Sequence, residues 1–283
     1  MASFTNFATL SYNGGTTNSN IVTGEILEAL TAVKTAVSAN YSAGDRITYA
    51  LSLVNTGTAA ITDYTVTDNL GGYTVGANTV YPLAYNAGTV RYYINGVLQT
   101  APTVTAGPPL TVTGLTVPAG GSAVLIYETT ATPVAPLATG SSITNTATIT
   151  GGGLTNPITA QATVETANSA DLTISKALSP TTVTENGQIT YTFVISNTGN
   201  TEATATGNVV VTDMFAPILR NIAVTYNGTA WTEGTNYTYN AATGVFTTLA
   251  GQITVPAATF TQNTDGTFTV TPGTATLVIT GTV

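Results

Sequence analysis

The sequence predicts an all-β chain: two tandem β-sandwiches preceded by an N-terminal donor-strand segment. Three observations carry this prediction. The chain contains an internal repeat, it is rich in strand-forming residues, and its apolar residues alternate in short runs bounded by turns.

The repeat comes first because it sets the domain count. Leu30-Thr31 and Lys34 match Leu172-Thr173 and Lys176. At the same offset Ile47-Thr48-Tyr49 matches Ile189-Thr190-Tyr191, and Asn55-Thr56-Gly57 matches Asn197-Thr198-Gly199. After a short insertion Val66-Thr67-Asp68 matches Val211-Thr212-Asp213, and Gly121–Ile126 resembles Gly273–Val278. A third match is out of place. Phe4-Thr5-Asn6-Phe7-Ala8-Thr9-Leu10-Ser11 aligns without a gap to Ile143-Thr144-Asn145-Thr146-Ala147-Thr148-Ile149-Thr150. The later copy closes the first repeat. The earlier copy stands before it, and the second repeat stops near Thr276–Val283 without such an ending. The expected division is a donor segment over residues 1–24, a first repeat over 25–167, and an incomplete second repeat over 168–283.

Composition bounds the class. In 283 residues, 43% are hydrophobic and 6% are charged. That apolar content supplies a core for each domain and excludes a disordered chain. Threonine, valine, isoleucine and tyrosine favour pleated, half-buried strands. The net charge of −8 argues against nucleic acid and against anionic membrane surfaces as partners. No apolar run reaches the ~18 residues of a membrane-spanning helix. Cysteine and histidine are both absent, so disulfides and thiolate metal sites are excluded. Met1-Ala2-Ser3-Phe4 shows no secretory signal, so an extracellular structure is expected to reach the surface by another route, such as lysis of the producing cell.

Strands follow from period 2. Ile47–Leu53 and Ile189–Ile195 alternate apolar with small or polar residues, which reads as one buried face each. Asn55-Thr56-Gly57 and Asn197-Thr198-Gly199 read as turns, because Asn and Gly tolerate positive φ. Asn69–Gly72, Asn95-Gly96, Pro118–Gly121, Gly151–Gly153, Asn227-Gly228 and Asp265-Gly266 mark further turns. Short strands at such spacing indicate sandwiches. Glu25–Lys34 has helical spacing at Ile26, Leu30 and Val33, but its match to Leu172–Lys176 predicts a strand from about Leu30, with one helical turn before it.

The order of these motifs resembles a known family. A first-strand Lys, Ile-Thr-Tyr, Asn-Thr-Gly, Val-Thr-Asp and Thr-Asn-x-Ala-Thr together look like the conserved surface repeat domain of anthrax-type bacilli, a domain-of-unknown-function repeat. The resemblance implies two tandem immunoglobulin-like β-sandwiches with a structural or adhesive role. Two repeats in a chain of this size are also similar to the ribbon subunits of clostridial spore appendages. One departure is clear: Val-Thr-Asp is followed by Asn69-Leu70 and Met214-Phe215, where the family usually has Leu-Pro.

Enzymatic chemistry is poorly supplied. Without His and Cys, the common nucleophile–base pairs are missing. The 13 acids sit mostly at turns or strand ends, and no calcium-loop motif exists. No cofactor or metal is expected, and the chain is not expected to be an enzyme. The two lysines are more informative, since Lys34 and Lys176 occupy equivalent places. The bland reading is a stem that covers a sandwich edge with its amine in water. The sharper reading is a Lys–Asn isopeptide bond. That chemistry needs a neutral, desolvated amine and a nearby protonated acid. Lys34, Asn145 and Asp68 are the candidates in the first repeat. Lys176 and Asp213 are those in the second, with Asn6 of a neighbouring chain supplying the amide. Phe4, Asn6, Ala8 and Leu10 are expected to dock beside Leu277 and Ile279, read as an unpaired edge.

The expected function is a self-assembling subunit of an extracellular bacterial filament or spore appendage, joined head to tail. Its expected partner is itself, with other appendage proteins as a second class. An adhesin or carbohydrate-binding module, or a phage or surface-layer component, is the alternative. An adhesin stays monomeric on dilution, whereas a fibre subunit polymerises.

Overall fold

The computed structural model describes residues 2–26 and 29–283, with side chains for 4–24 and 29–283. The chain is all-β, apart from a 3-10 turn at Ala205–Gly207. It divides into two compact units. One comprises Met1–Pro136 with Ser142–Glu165, and the other Leu137–Ser141 with Thr166–Val283.

The N-terminal segment of unit 1 is a hairpin arm. Strand β1 (Ala2–Asn6) pairs antiparallel with β4 (Val22–Ile26), and β2 (Thr9–Tyr12) pairs with β3 (Gly15–Asn18). Side chains 4–23 are all exposed, including Phe4, Leu10, Tyr12 and Ile21. Val22–Ile26 is strand, so no helical turn forms there. Leu27 and Glu28, the rest of that expected turn, lie outside the described residues.

The body of unit 1 is a sandwich of two six-stranded sheets. Its strands are β5 (Leu30–Ala36), β6 (Asn40–Tyr41), β7 (Arg46–Asn55), β8 (Ile61–Asp68), β9 (Tyr73–Val75), β10 (Asn78–Val80) and β11 (Leu83–Tyr85). There follow β12 (Arg91–Ile94), β13 (Val97–Leu98), β14 (Thr103–Thr105), β15 (Leu110–Val117), β16 (Ser122–Ala131), β17 (Ser142–Gly151) and β18 (Ile158–Thr166). One sheet runs β13-β12-β16-β7-β5, with β11 also on β16; the other runs β14-β15-β8-β17-β18-β6, and β9 and β10 pair apart from both as a hairpin. Alternation builds the core: Ile47, Tyr49, Leu51 and Leu53 of β7 are buried, and so are Ile143, Asn145, Ala147 and Ile149 of β17.

Unit 2 has unequal sheets. Its strands are β19 (Leu172–Ser179), β20 (Gln188–Asn197), β21 (Thr212–Met214), β22 (Arg220–Tyr226) and β23 (Thr229–Trp231). The remainder are β24 (Tyr237–Asn240), β25 (Val245–Thr248), β26 (Thr259–Gln262), β27 (Phe268–Thr271) and β28 (Gly273–Thr282). One sheet runs β19-β20-β28-β22-β23, and the other is only β21-β25-β24. Ile189, Phe193, Phe215, Phe246, Leu277 and Ile279 form the centre of its core.

Two expectations need correction. Leu277 and Ile279 are not at an open edge: β28 pairs with β20 on one side and β22 on the other, and both side chains are fully buried. The Asn-Thr-Gly motifs do not rest on positive φ either, because Asn55, Gly57, Asn197 and Gly199 all have ordinary φ values. Their asparagines are buried and satisfy backbone instead. Asn55 Nδ2 donates to the Ala59 carbonyl at 2.8 Å, and its Oδ1 accepts from Gly57 N at 2.9 Å. Asn197 repeats this with Thr201 and Gly199 at 2.8 and 2.9 Å. The glycine is needed for close approach: a Cβ on Gly199 would stand 2.2 Å from the Ser169 carbonyl oxygen.

Candidate functional site

Lys34 lies on β5, whose inward positions are Leu30, Ala32, Lys34 and Ala36. Its Nζ donates to Asp68 Oδ2 at 2.5 Å, and the two side chains are 0% and 1% exposed. Asp68 ends β8. Its Oδ2 also accepts from the Tyr127 hydroxyl, and its Oδ1 accepts from Leu70 N at 3.0 Å. The amine sits over the rings of Tyr49 and Tyr127, at 4.8 and 5.8 Å from their centroids. Burial pushes the Lys34 amine down from 10.5 to about 8, against the opposing charge of Asp68.

Asn145 of β17 joins the same cluster. Burial, then the Asp68 charge, holds the Tyr49 and Tyr127 phenols up; the Asn145 amide pulls in the opposite direction on both. Yet neither amide atom of Asn145 makes a hydrogen bond among the described residues, and the same is true of the Tyr49 hydroxyl. The amide is thus adjacent to the phenols without a well-formed bond to either. A fully buried, unpaired amide costs roughly 1–3 kcal/mol, which makes Asn145 unusual. Lys34, Asp68 and Asn145 thus converge around one tyrosine pair. A desolvated amine and an amide without a hydrogen-bond partner are the reactants of amide exchange, and a carboxyl group beside them can relay the proton.

The second site has the same first half. Lys176 of β19 donates to Asp213 Oδ2, and Asp213 Oδ1 accepts from Met214 N at 3.0 Å. The amine lies 4.4 Å from the Tyr191 ring centroid and 5.5 Å from that of Phe215. Here the side chains are 40% and 18% exposed. The inward row of β19 is open as well, with Ile174 at 55% exposure, and Met214 of β21 reaches 67%. In unit 1, β8 pairs with β15 on one side and β17 on the other. In unit 2, β21 pairs with β25 and, among the described residues, with nothing on its other edge. No asparagine touches the Lys176–Asp213 pair in the contacts of the described residues.

Asn6 lies on the exposed arm. Its hairpin copies the β17–β18 pairing: Asn6 faces Val22 and Phe4 faces Gly24, as Asn145 faces Ala162 and Ile143 faces Val164. Phe4, Asn6, Ala8 and Leu10 therefore correspond to the four buried β17 residues. The repeat pattern missed Tyr127, which holds Asp68. Its counterpart in the second repeat is Ile279, so no recurring residue marked it.

No family model and no curated protein matches the sequence. Among solved structures, the chain is similar to the major pilin subunit of Bacillus cereus, with 14% identity, 96% of this chain and 73% of that one covered, and a TM-score of 0.36. It is similar to the pilus backbone of Streptococcus pneumoniae at 14% identity, with 86% and 55% covered and a TM-score of 0.36. It is also similar to the N-terminal domain of a Streptococcus gordonii adhesin, at 14% identity with 48% of this chain covered and a TM-score of 0.36. The chain spans about a third of that adhesin domain, at 32% of its length.

Proposed function

We propose that this chain is a structural subunit that polymerises into an extracellular bacterial fibre, each copy lending its arm to unit 2 of another. A spore appendage is the setting that the repeat resemblance suggests. One observation carries the reading: the exposed arm matches β17 at its four inward positions, identically at Asn6 and Ala8, while β21, among the described residues, has an open edge where unit 1 places β17. Strand addition of this kind draws affinity from main-chain hydrogen bonds and specificity from alternate side chains. An exposed strand edge beside apolar side chains is otherwise an aggregation hazard. A head-to-tail contact between different surfaces need not close into a ring.

Covalent locking is the second part of the proposal. The Lys34 amine attacks Cγ of Asn145. A Cγ–Nζ amide bond forms, the Cγ–Nδ2 bond breaks, and ammonia leaves with the proton surrendered by the amine, relayed through Asp68. No oxidant or cofactor is required. Lys176, Asp213 and Asn6 of a second copy perform the same exchange between subunits. The chain then acts on no external substrate.

Negative-stain microscopy of the purified protein tests assembly. Filaments are expected from the full chain, and monomers from a chain lacking residues 1–24. Identical filaments from the shortened chain would sink the proposal.

A further inference from the structure

The two units supply more than a general likeness, because the β17–β8 pairing has a defined register. Ala147 faces Asp68, Thr148 faces Thr67 and Ile149 faces Val66. Carrying the repeat matches across puts Ala8 opposite Asp213, Thr9 opposite Thr212 and Leu10 opposite Val211. We infer that the arm docks on β21 of a second copy as a two-stranded hairpin in this register, and that docking itself completes the Lys176 site. The inference rests on the proposed arm exchange, and it adds which edge is used, in what alignment, and what the docked hairpin does to the lysine.

Two features support a hairpin rather than a single strand, and a third fixes the register. First, β1 and β4 are already paired, as β17 and β18 are. Second, one cross-strand pair shows matched volumes. Unit 1 has Ile143 opposite Val164; the arm has Phe4 opposite Gly24. The larger residue on one strand meets the smaller on the other. The fit is tight, since a Cβ on Gly24 would stand 2.4 Å from the Phe4 ring. Third, a slip of one residue would turn Phe4, Asn6, Ala8 and Leu10 to solvent, because strand side chains alternate. Docking also requires the break between β1 and β2 at Phe7 and Ala8 to extend, since β17 is continuous at that point.

Docking changes the lysine's surroundings. In unit 1 the covered lysine–aspartate pair is out of water; in unit 2 the pair is partly in water. A hairpin laid along β21 would strip that water, and desolvation favours the uncharged amine that the exchange needs. It delivers the Asn6 amide in the same step. Bond formation is therefore coupled to correct docking, and a misaligned arm stays uncoupled and free to dissociate.

The cysteine-free sequence allows a direct test. Thr9 and Thr212 are both exposed, so cysteines there should not disturb folding. The chain carrying Thr9→Cys, Thr212→Cys and Lys176→Ala is oxidised and run on a denaturing gel. A ladder of linked copies that reductant abolishes is expected. The companion Thr9→Cys, Val210→Cys, Lys176→Ala reports a two-residue slip and should give no ladder. A ladder from the companion alone, with filaments still present, overturns the register but leaves arm exchange standing. Disulfide confined to monomers overturns the second copy as acceptor. Loss of filaments and ladder alike, in both variants and in the unsubstituted chain, overturns arm exchange too. For the coupling, intact mass is measured on an Asn145→Ala chain. Loss of one ammonia only in the polymer fraction is expected; loss in free monomers overturns it.

Discussion

The two lysine sites share motif and ion pair, and they differ in cover. Lys34 lies under a complete second sheet that includes β17 and β18. Lys176 lies beside a three-stranded sheet ending at β21. The same Lys and Asp are thus fully buried in one unit and partly wet in the other. The difference teaches that the burial of such a pair is set by the strands above it. The first unit carries those strands in its own chain. In the proposed assembly the second unit supplies the receiving half and the arm of another copy the inserting half.

The largest expected effect separates the two sites. Asn145→Ala should abolish the intradomain bond while intermolecular ladders persist. A cross-link closing a loop of roughly a hundred residues is worth about 4.7 kcal/mol in the chain-entropy account, so unit 1 should melt roughly 10–20 °C lower. Asn6→Ala should do the reverse, removing the ladder on a boiled detergent gel without moving the melting of unit 1. If either substitution produces both effects, the two sites are not independent and the comparison breaks.

Much of this contrast was legible in sequence, for identifiable reasons. Strand alternation at Ile47–Leu53 and Ile189–Ile195 follows from a two-residue period, which sequence displays directly. Lys34 and Asp68 stood out because both repeats mark those positions, and Asn145 because the N-terminal arm repeats its motif at Asn6. What failed depended on neighbours far along the chain. Leu277 and Ile279 occupy a central strand, and strand order within a sheet has no local signal. The Asn-Thr-Gly turns were recognised but misexplained, because the buried partners of Asn55 and Asn197 lie on loops near Pro118 and Pro256. Tyr127 escaped notice because a tyrosine on an alternating strand looks like any core residue until its hydroxyl partner is seen.

An intermediate effect sharpens the electrostatic half of the comparison. In Asn145→Ala the Lys34 amine stays free. Its folded pKa, about 8, lies below its ordinary 10.5, so the folded chain binds fewer protons than the unfolded one between those values. Stability then rises with pH across that window. From pH 8 to 10 the gain should be on the order of 2 kcal/mol. Above 10 the trend should weaken or reverse, because burial holds the Tyr49 and Tyr127 phenols above their ordinary 10.0. Adding Lys34→Met should remove the rise below pH 10. A flat profile in the single variant would mean that Lys34 is not desolvated, and the difference in cover would lose its electrostatic consequence. Denaturant melts at a series of pH values provide the measurement.

The smallest expected effect concerns the one residue that the two sites do not share. Tyr127 donates to Asp68, and the corresponding place in unit 2 is Ile279. Tyr127→Phe removes that hydroxyl and keeps the ring beside Lys34. Asp68 retains Lys34 and the Leu70 amide, so the cost should be about 1.5 kcal/mol, the low end of the range for a hydrogen bond to a charged group. The bond itself should still form, and the variant should still be lighter than its sequence mass by one ammonia for the first unit. If Lys176 and Asp213 can react with no tyrosine at that position, the hydroxyl is a support for Asp68 and not a participant in the exchange. A Tyr127→Phe chain that folds but keeps its full sequence mass would reverse this. The tyrosine would then be required for the chemistry, a site with isoleucine in its place would be inert, and copies would be held together by strand pairing alone.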